Sequence, residues 1–217
     1  MTTKKSKPVP FHNDISYIEA ESGWVRARCN RLKVEQEAAI AAAEPSRHAV
    51  GVRKTTASTD LERRLAAAKE AEDAFRAEVD SRMVATMDAG GHLLAIDDIV
   101  AKQGLDTQER TILLLTVLSA LDESIEDTLN VIGTRGYCGQ PTPEIVWLFM
   151  GLGFQYRIEA RTAYLPTSRL VKAGLLTLTS GKTLTPRDLR YCNLEVTQKG
   201  FDAVLGLDIN KSDDVDG

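Results

Sequence analysis

Residues 111–121, Thr-Ile-Leu-Leu-Leu-Thr-Val-Leu-Ser-Ala-Leu, are the longest nearly continuous apolar stretch in this chain of 217 residues. A helix that is hydrophobic all round must be covered on every face, so the fold has to be built around this one. The stretch carries its own start signal. Asp106 stands where an N-cap belongs, and Glu109 follows three residues later, the spacing of a capping box. A short amphipathic helix precedes it from His92 to Lys102, with Leu93, Leu94, Ile96, Ile99 and Val100 apolar and Gly104 closing it.

Beyond the run, Asp122–Asp127 is acidic, Leu129 to Ile132 returns to the core, and Gly133–Gly139 breaks the chain. Thr142 then caps a helix with Pro143 at its first position, the place proline prefers. It continues through Ile145, Val146, Leu148, Phe149 and Met150 to Gly151–Gly153.

Upstream lies a predicted helical arm over residues 16–90, after a Lys-rich, disordered tail at 1–15 with Pro8 and Pro10. Its first helix runs from Ser16 to about Ala43 with a stripe of Ile18, Trp24, Val25, Leu32 and Ile40, and Glu44-Pro45 ends it. Residues 45–58 read as a linker. The second helix starts at Ser58–Asp60, with Thr59 and Glu62 at capping-box spacing. It runs through Leu61, Leu65, Ala68, Phe75, Val79, Met83 and Met87 to Gly90-Gly91. So narrow a stripe predicts packing on a neighbouring helix or on another subunit, which leaves a homo-oligomer open.

The C-terminal segment sets the fold class. Pro166-Thr167-Ser168 opens a short helix ending Leu170-Val171-Lys172-Ala173-Gly174, with Gly174 just past its end. Leu175–Thr179 and Asn193–Thr197 are rich in strand formers, with the turn Ser180-Gly181-Lys182 between them. Gln198-Lys199-Gly200 leads into a last helix, Phe201 to Leu205. Helix, strand, polar wing, strand, helix is the order of a winged helix, with Leu170, Val171, Leu176, Leu178, Leu194 and Val196 as its shared core. The expected fold is mainly α with a small β-hairpin: a helical arm, then a helical core with winged helix over 91–207 (wing about 175–197). Residues 208–217, polar and acidic, read as a linker or tail.

Several function classes have no residues behind them. No stretch approaches the roughly 18–20 apolar residues of a membrane span, and Met1–Pro10 is not followed by the apolar region of a secretory signal. Cys29, Cys138 and Cys192 are odd in number, widely spaced and without His neighbours, which argues against disulfides and zinc. A reducing cytoplasm is the expected location. His12, His48 and His92 have no carboxylate or cysteine at ligand spacing. Asp122, Glu123, Glu126 and Asp127 lack the spacing of a calcium loop and read as a solvated helix end. Ser180-Gly181-Lys182-Thr183 looks like the tail of a phosphate-binding loop, but position 176, where the loop needs its first glycine, is leucine. It reads as a wing turn. No cofactor, no metal and no catalytic centre are expected.

The charge is uneven. Residues 1–58 hold ten Lys/Arg against six Asp/Glu, while the whole chain has a net charge of −4. Residues 160–199 hold seven basic side chains and only Asp188 and Glu195 as acids. In a DNA-binding winged helix the second helix of the helix-turn-helix enters the major groove and the wing meets the backbone. That geometry would use Thr167, Ser168, Arg169 and Lys172 from the helix, and Lys182, Arg187 and Arg190 from the wing. The sequence pI of about 5.5 is far below the pI above 9 of a usual nucleic-acid binder. The same residues therefore also serve as candidate contacts for a protein partner.

The segment Ala95–Leu207 resembles the N-terminal winged-helix region that precedes the ATPase module in a group of bacterial AAA+ proteins. The likeness rests on LDTQERTILLLTVLSALDE (Leu105–Glu123), PTPEIVWLFMGLG (Pro141–Gly153) and LPTSRLVKAGLLTL…LEVTQKGFDAVLGLD (Leu165–Asp208). The last block equally suits a MarR- or PadR-like regulator. The first resemblance implies a non-catalytic recognition domain that places a remodelling ATPase on a protein client, with residues 208–217 leading toward an ATPase module. No Walker motif lies within the 217 residues. The second implies a dimeric DNA-binding regulator, paired through the long helix at 60–88.

Overall fold

The computed structural model describes residues 7–43, 54–91, 94–132, 140–179, 185 and 188–207. The apolar run becomes α4 (Thr107–Leu121), and its Ile112, Leu113, Leu114, Leu115, Val117 and Leu118 are buried. Its capping box forms in both directions: Glu109 N donates to Asp106 Oδ1 at 2.9 Å, and Asp106 N donates to Glu109 Oε2 at 3.2 Å. Ahead of it, α3 (Ala95–Gln103) ends at Gly104, whose φ of 60° is the left-handed conformation of a helix C-cap. The start expected for α3 at His92 and Leu93 lies outside the described residues.

The arm is a helical hairpin, α1 (Asp14–Ala43) against α2 (Lys54–Asp88). Pairings between Phe11 and Thr86, Glu21 and Arg76, Arg28 and Glu72, and Glu37 and Arg64 fix the two helices antiparallel. The neighbour that the stripe on α2 needs is therefore α1 of the same chain. Several details differ from the sequence reading: Phe11, read as part of a disordered tail, is buried against Tyr17, and Phe75 and Met87 of the α2 stripe are exposed. The helix α2 begins at Lys54 rather than near Ser58, so Thr59 lies inside it and is no cap. No Gly or Pro separates Gly51 from Gly90, and nothing halts the helix at Ser58. Ile40, assigned to the buried stripe of α1, is 63% exposed because the last turns of α1 run past the core.

The arm is also packed on the rest of the chain. α1 lies against α5 (Glu123–Ile132) and touches α6 (Pro143–Met150). Arg28 Nε donates to the Phe149 carbonyl at 2.6 Å, and Trp24 meets the Phe149 ring edge-on at 5.4 Å. Asp14 Oδ1 accepts from Ala95 N at 2.6 Å and so supplies the N–H partner that Leu94, with no side-chain oxygen, cannot offer α3.

The wing closes the other side. α8 (Arg169–Lys172), β1 (Leu176–Thr179), β2 (Asn193–Val196) and α9 (Gln198–Val204) follow in the expected order. The strands pair antiparallel with Leu176 opposite Val196 and Leu178 opposite Leu194. Leu170, Leu176 and Leu194 are fully buried, with Leu178 and Val196 packed at the margin. The outer side of β2 is held as well, since Leu194 N donates to the Pro141 carbonyl at 2.9 Å. The Thr-x-Lys-Gly segment acts as a clasp. Thr197 caps α9 by accepting from Gly200 N, and its hydroxyl donates to the Gly174 carbonyl at 2.6 Å. Lys199 Nζ donates to the Ala173 carbonyl at 2.8 Å. A Cβ on Gly200 would stand 2.3 Å from the Leu175 carbonyl oxygen, so only glycine lets α9 approach the start of β1.

Candidate functional site

Four of the seven residues proposed for partner or DNA contact gather at α8, a helix of only four residues. Ser168 is its N-cap: the side chain is buried and accepts from Val171 N at 3.4 Å. Thr167 and Lys172 are exposed. Arg169 is turned back on the protein, donating to Asp106 Oδ2 at 2.8 Å and to the Gly104 carbonyl, with Glu109 Oε2 at 2.6 Å. It thereby ties α8 to the N-terminus of α4, where carboxylates already gather for the capping box. Arg190 lies apart from α8, in a 3-10 turn at Asp188–Tyr191, and pairs through Nη2 with the buried carboxylate of Glu144 on α6. Lys182 and Arg187 lie outside the described residues. The basic stretch read along the sequence thus does not form one open positive face among the described residues; two of its arginines hold internal carboxylates.

A different surface stands out. Gly151 ends α6 in the left-handed conformation, with φ of 68°, and the chain restarts at once as α7 (Phe154–Ala160). The sequence Phe-Gln-Tyr-Arg-Ile-Glu-Ala places apolar side chains at every second position. Helical geometry turns about 100° per residue, so Phe154 and Ile158 share a face while Tyr156 points the other way. Few of these side chains can reach the core. Phe154 is 81% exposed, Tyr156 66% and Ile158 56%. Large exposed apolar side chains that cluster mark interaction surfaces more often than single ones do.

The Phe154–Ile158 face borders a cavity of about 650 Å³, shared with Trp147 from α6 and Tyr191 from the 3-10 turn. Arg157, Arg161 and Arg190 complete its wall, and among the described residues no carboxylate lines it. Arg157 is oriented by donating Nε to the Leu152 carbonyl at 2.7 Å, and Arg190 lies 5.3 Å over the Tyr191 ring. Behind the lining, Trp147 Nε1 and Arg190 Nε are buried without a hydrogen-bond partner.

Residues 154–159 carry no motif, and the sequence assigns them no element. The one available signal was the period of two inside a helix-length segment, which no single buried face accommodates.

Glu21, wholly buried on α1, accepts from Tyr17 Oη and from Arg76 Nη1 at 3.3 Å, with Arg110 Nη2 at 3.7 Å. Burial and the neighbouring Glu21 carboxylate push the Tyr17 phenol upward. Burial raises the Cys29 thiol to about 12 and the Cys192 thiol to about 11. Asp122, from the acidic cluster, caps the start of α5 by accepting from Ser124 N at 2.8 Å and pairs with Arg26. Among the described residues no group of His, Cys, Asp and Glu is placed to hold a metal, and no helix is long and apolar enough to cross a membrane.

A helical core closed by a clasped two-stranded wing defines a winged-helix protein. Comparison with protein families agrees: the family described as "Winged helix domain, variant" matches residues 1–217, and the chain belongs to it. The match takes in the arm as well as the wing. Comparison with curated proteins and with solved structures gave no match.

Proposed function

We propose that this chain is a non-catalytic recognition domain that works in the cytoplasm and docks a AAA+ ATPase on a protein client through its winged-helix half. The observation that carries the recognition reading is the exposed apolar face of α7 formed by Phe154 and Ile158, with Tyr156 also in solvent on the opposite side. Folding leaves such side chains in water only at a cost of apolar hydration, which a partner's surface would remove. The state of the arginines favours a protein over DNA. A major-groove reader needs exposed bases on a helix long enough to enter the groove, and α8 has four residues with Arg169 engaged by Asp106 and Glu109. The AAA+ context rests on the resemblance of Leu105–Glu123, Pro141–Gly153 and Leu165–Asp208.

Each half has its own test. Sequencing the native reading frame past Gly217 checks the ATPase: a G-x-x-x-x-G-K-[ST] loop downstream supports it, and a stop codon removes it. Duplex DNA titrated at rising salt checks the choice of partner. We expect no specific binding. Tight binding that weakens steeply with salt and is lost in Arg169→Ala with Lys172→Ala would replace this reading with the DNA-binding regulator.

A further inference from the structure

The cavity beside α7 says more about the chemistry of a partner, an inference that rests on the recognition reading above. We propose that it takes a peptide segment of a partner protein in which one aromatic or branched apolar side chain is flanked by carboxylates. The apolar half of that specification comes from Trp147, Phe154, Ile158 and Tyr191, which come from three elements and converge on one space. Its volume, about 650 Å³, falls in the range of about 300–1,000 Å³ found for ligand-sized sites. That admits a large side chain with its neighbours and excludes a folded domain. Phe154 and Ile158 stand one helical turn apart on the same face, so an inserted side chain would cover both.

The acidic half comes from the wall. Arg157, Arg161 and Arg190 line the space, and among the described residues no carboxylate does. Glu144 offsets Arg190 from behind, whereas the Arg157 Nε contact is to a neutral carbonyl. Arg157 therefore gives the wall a positive charge that no described carboxylate pairs with, on a chain whose net charge is −4. A long polyanion such as DNA meets the negative remainder of the protein, while a short acidic segment meets only the wall. Aromatic residues and arginine together are also the side chains that dominate binding energy where proteins meet.

The test uses the full chain labelled with ¹⁵N. It holds two tryptophans, Trp24 and Trp147, and Trp24→Phe identifies the Trp147 indole signal. Three capped peptides are titrated: Asp-Glu-Phe-Asp-Glu, its amide counterpart Asn-Gln-Phe-Asn-Gln, and Asp-Glu-Ala-Asp-Glu. The first should move the Trp147 signal saturably with Kd below about 1 mM, and the other two should bind at least about tenfold more weakly. Phe154→Ser with Ile158→Ser should abolish the response. Both side chains are exposed, so an otherwise unchanged amide spectrum will show that this variant is folded. Absence of a saturable shift, an equal response to the amide peptide, a response that survives in the double variant, or displacement of the peptide by a short DNA duplex would each overturn the assignment. No ATPase and no client enters the experiment, so its failure removes the cavity's role and leaves the recognition reading to its own tests.

Discussion

Replacing Glu21 tests whether the arm and the core are one folded unit. Glu21 is wholly buried, and its carboxylate joins Tyr17 of its own helix, Arg76 of α2 and Arg110 of α4. Removing one member of a buried ion pair costs about 3–5 kcal/mol, because the abandoned charge stays behind. Here each arginine keeps a second carboxylate. Arg76 Nε donates to Asp80 at 2.9 Å, and Arg110 Nε donates to Asp97 at 3.2 Å. Glu21→Ala should therefore fall at the lower end, about 3 kcal/mol. Glu21→Gln keeps the volume and one acceptor but loses the charge and replaces the second acceptor with a donor, about 1–2 kcal/mol. Against a total stability of about 5–15 kcal/mol, both are large enough to measure. Urea unfolding followed by circular dichroism should show a lower midpoint at unchanged slope. Fluorescence adds a local probe, since Trp24 lies under Arg76 at 5.1 Å and against Phe149. A double-mutant cycle of Glu21→Gln with Arg76→Leu should give a coupling of about 0.5–3 kcal/mol. An unfolding free energy for Glu21→Gln within about 0.5 kcal/mol of the parent would refute the reasoning. It would mean that packing alone holds α1 to the core.

Gly200→Ala should destabilise by about 1–3 kcal/mol or more, because the new Cβ meets a backbone carbonyl at 2.3 Å that cannot rotate away. Thermal unfolding should show this as a drop of roughly 2–4 °C per kcal/mol at this chain length, and an unchanged midpoint would refute the close approach. Cys29 and Cys192 should resist thiol reagents at pH 8 until denaturant is added, since burial raises them to about 12 and about 11. Rapid labelling of either in native buffer counts against their burial. The sign of the linked pH effect follows from the same shifts. The folded state holds these protons beyond the ordinary thiol value of 9.0, so stability is intact below pH 9. It should fall above it by up to about 1.4 kcal/mol per pH unit for each thiol. Cys29→Ala should flatten that decline, measured as urea midpoints from pH 8 to higher pH.

The winged-helix half was legible because local rules and tertiary packing agree there. Asp106 with Glu109, Thr142 with Pro143, and Ser168 with Gly174 each mark a boundary by the backbone groups they satisfy, and each does so in the structure. The apolar run of α4 needed no pattern at all. Thr59 misled because a capping box is meaningful only where the chain leaves the helix, and residues 54–58 stay in it. Ile40 misled because periodicity marks a face without saying how far the neighbouring core extends. Thr197 was read as the end of a strand, although its hydroxyl serves as the cap of α9.

The charged positions were illegible for a deeper reason. Glu21 and Glu72 look like solvent residues in sequence, and both are buried only because arginines from other helices reach them. Arg169 and Arg190 pose the same problem in reverse: in sequence they look free for a partner, yet Asp106, Glu109 and Glu144, 46 to 63 positions away where their bonds are measured, engage them. A basic side chain is evidence for an anionic partner only once its internal acids have been counted. An apolar side chain left in water carries the opposite logic, since no internal group has satisfied it. That asymmetry is why Phe154 and Ile158, which bear no motif, weigh more in the proposed recognition face than Arg169 and Arg190 do.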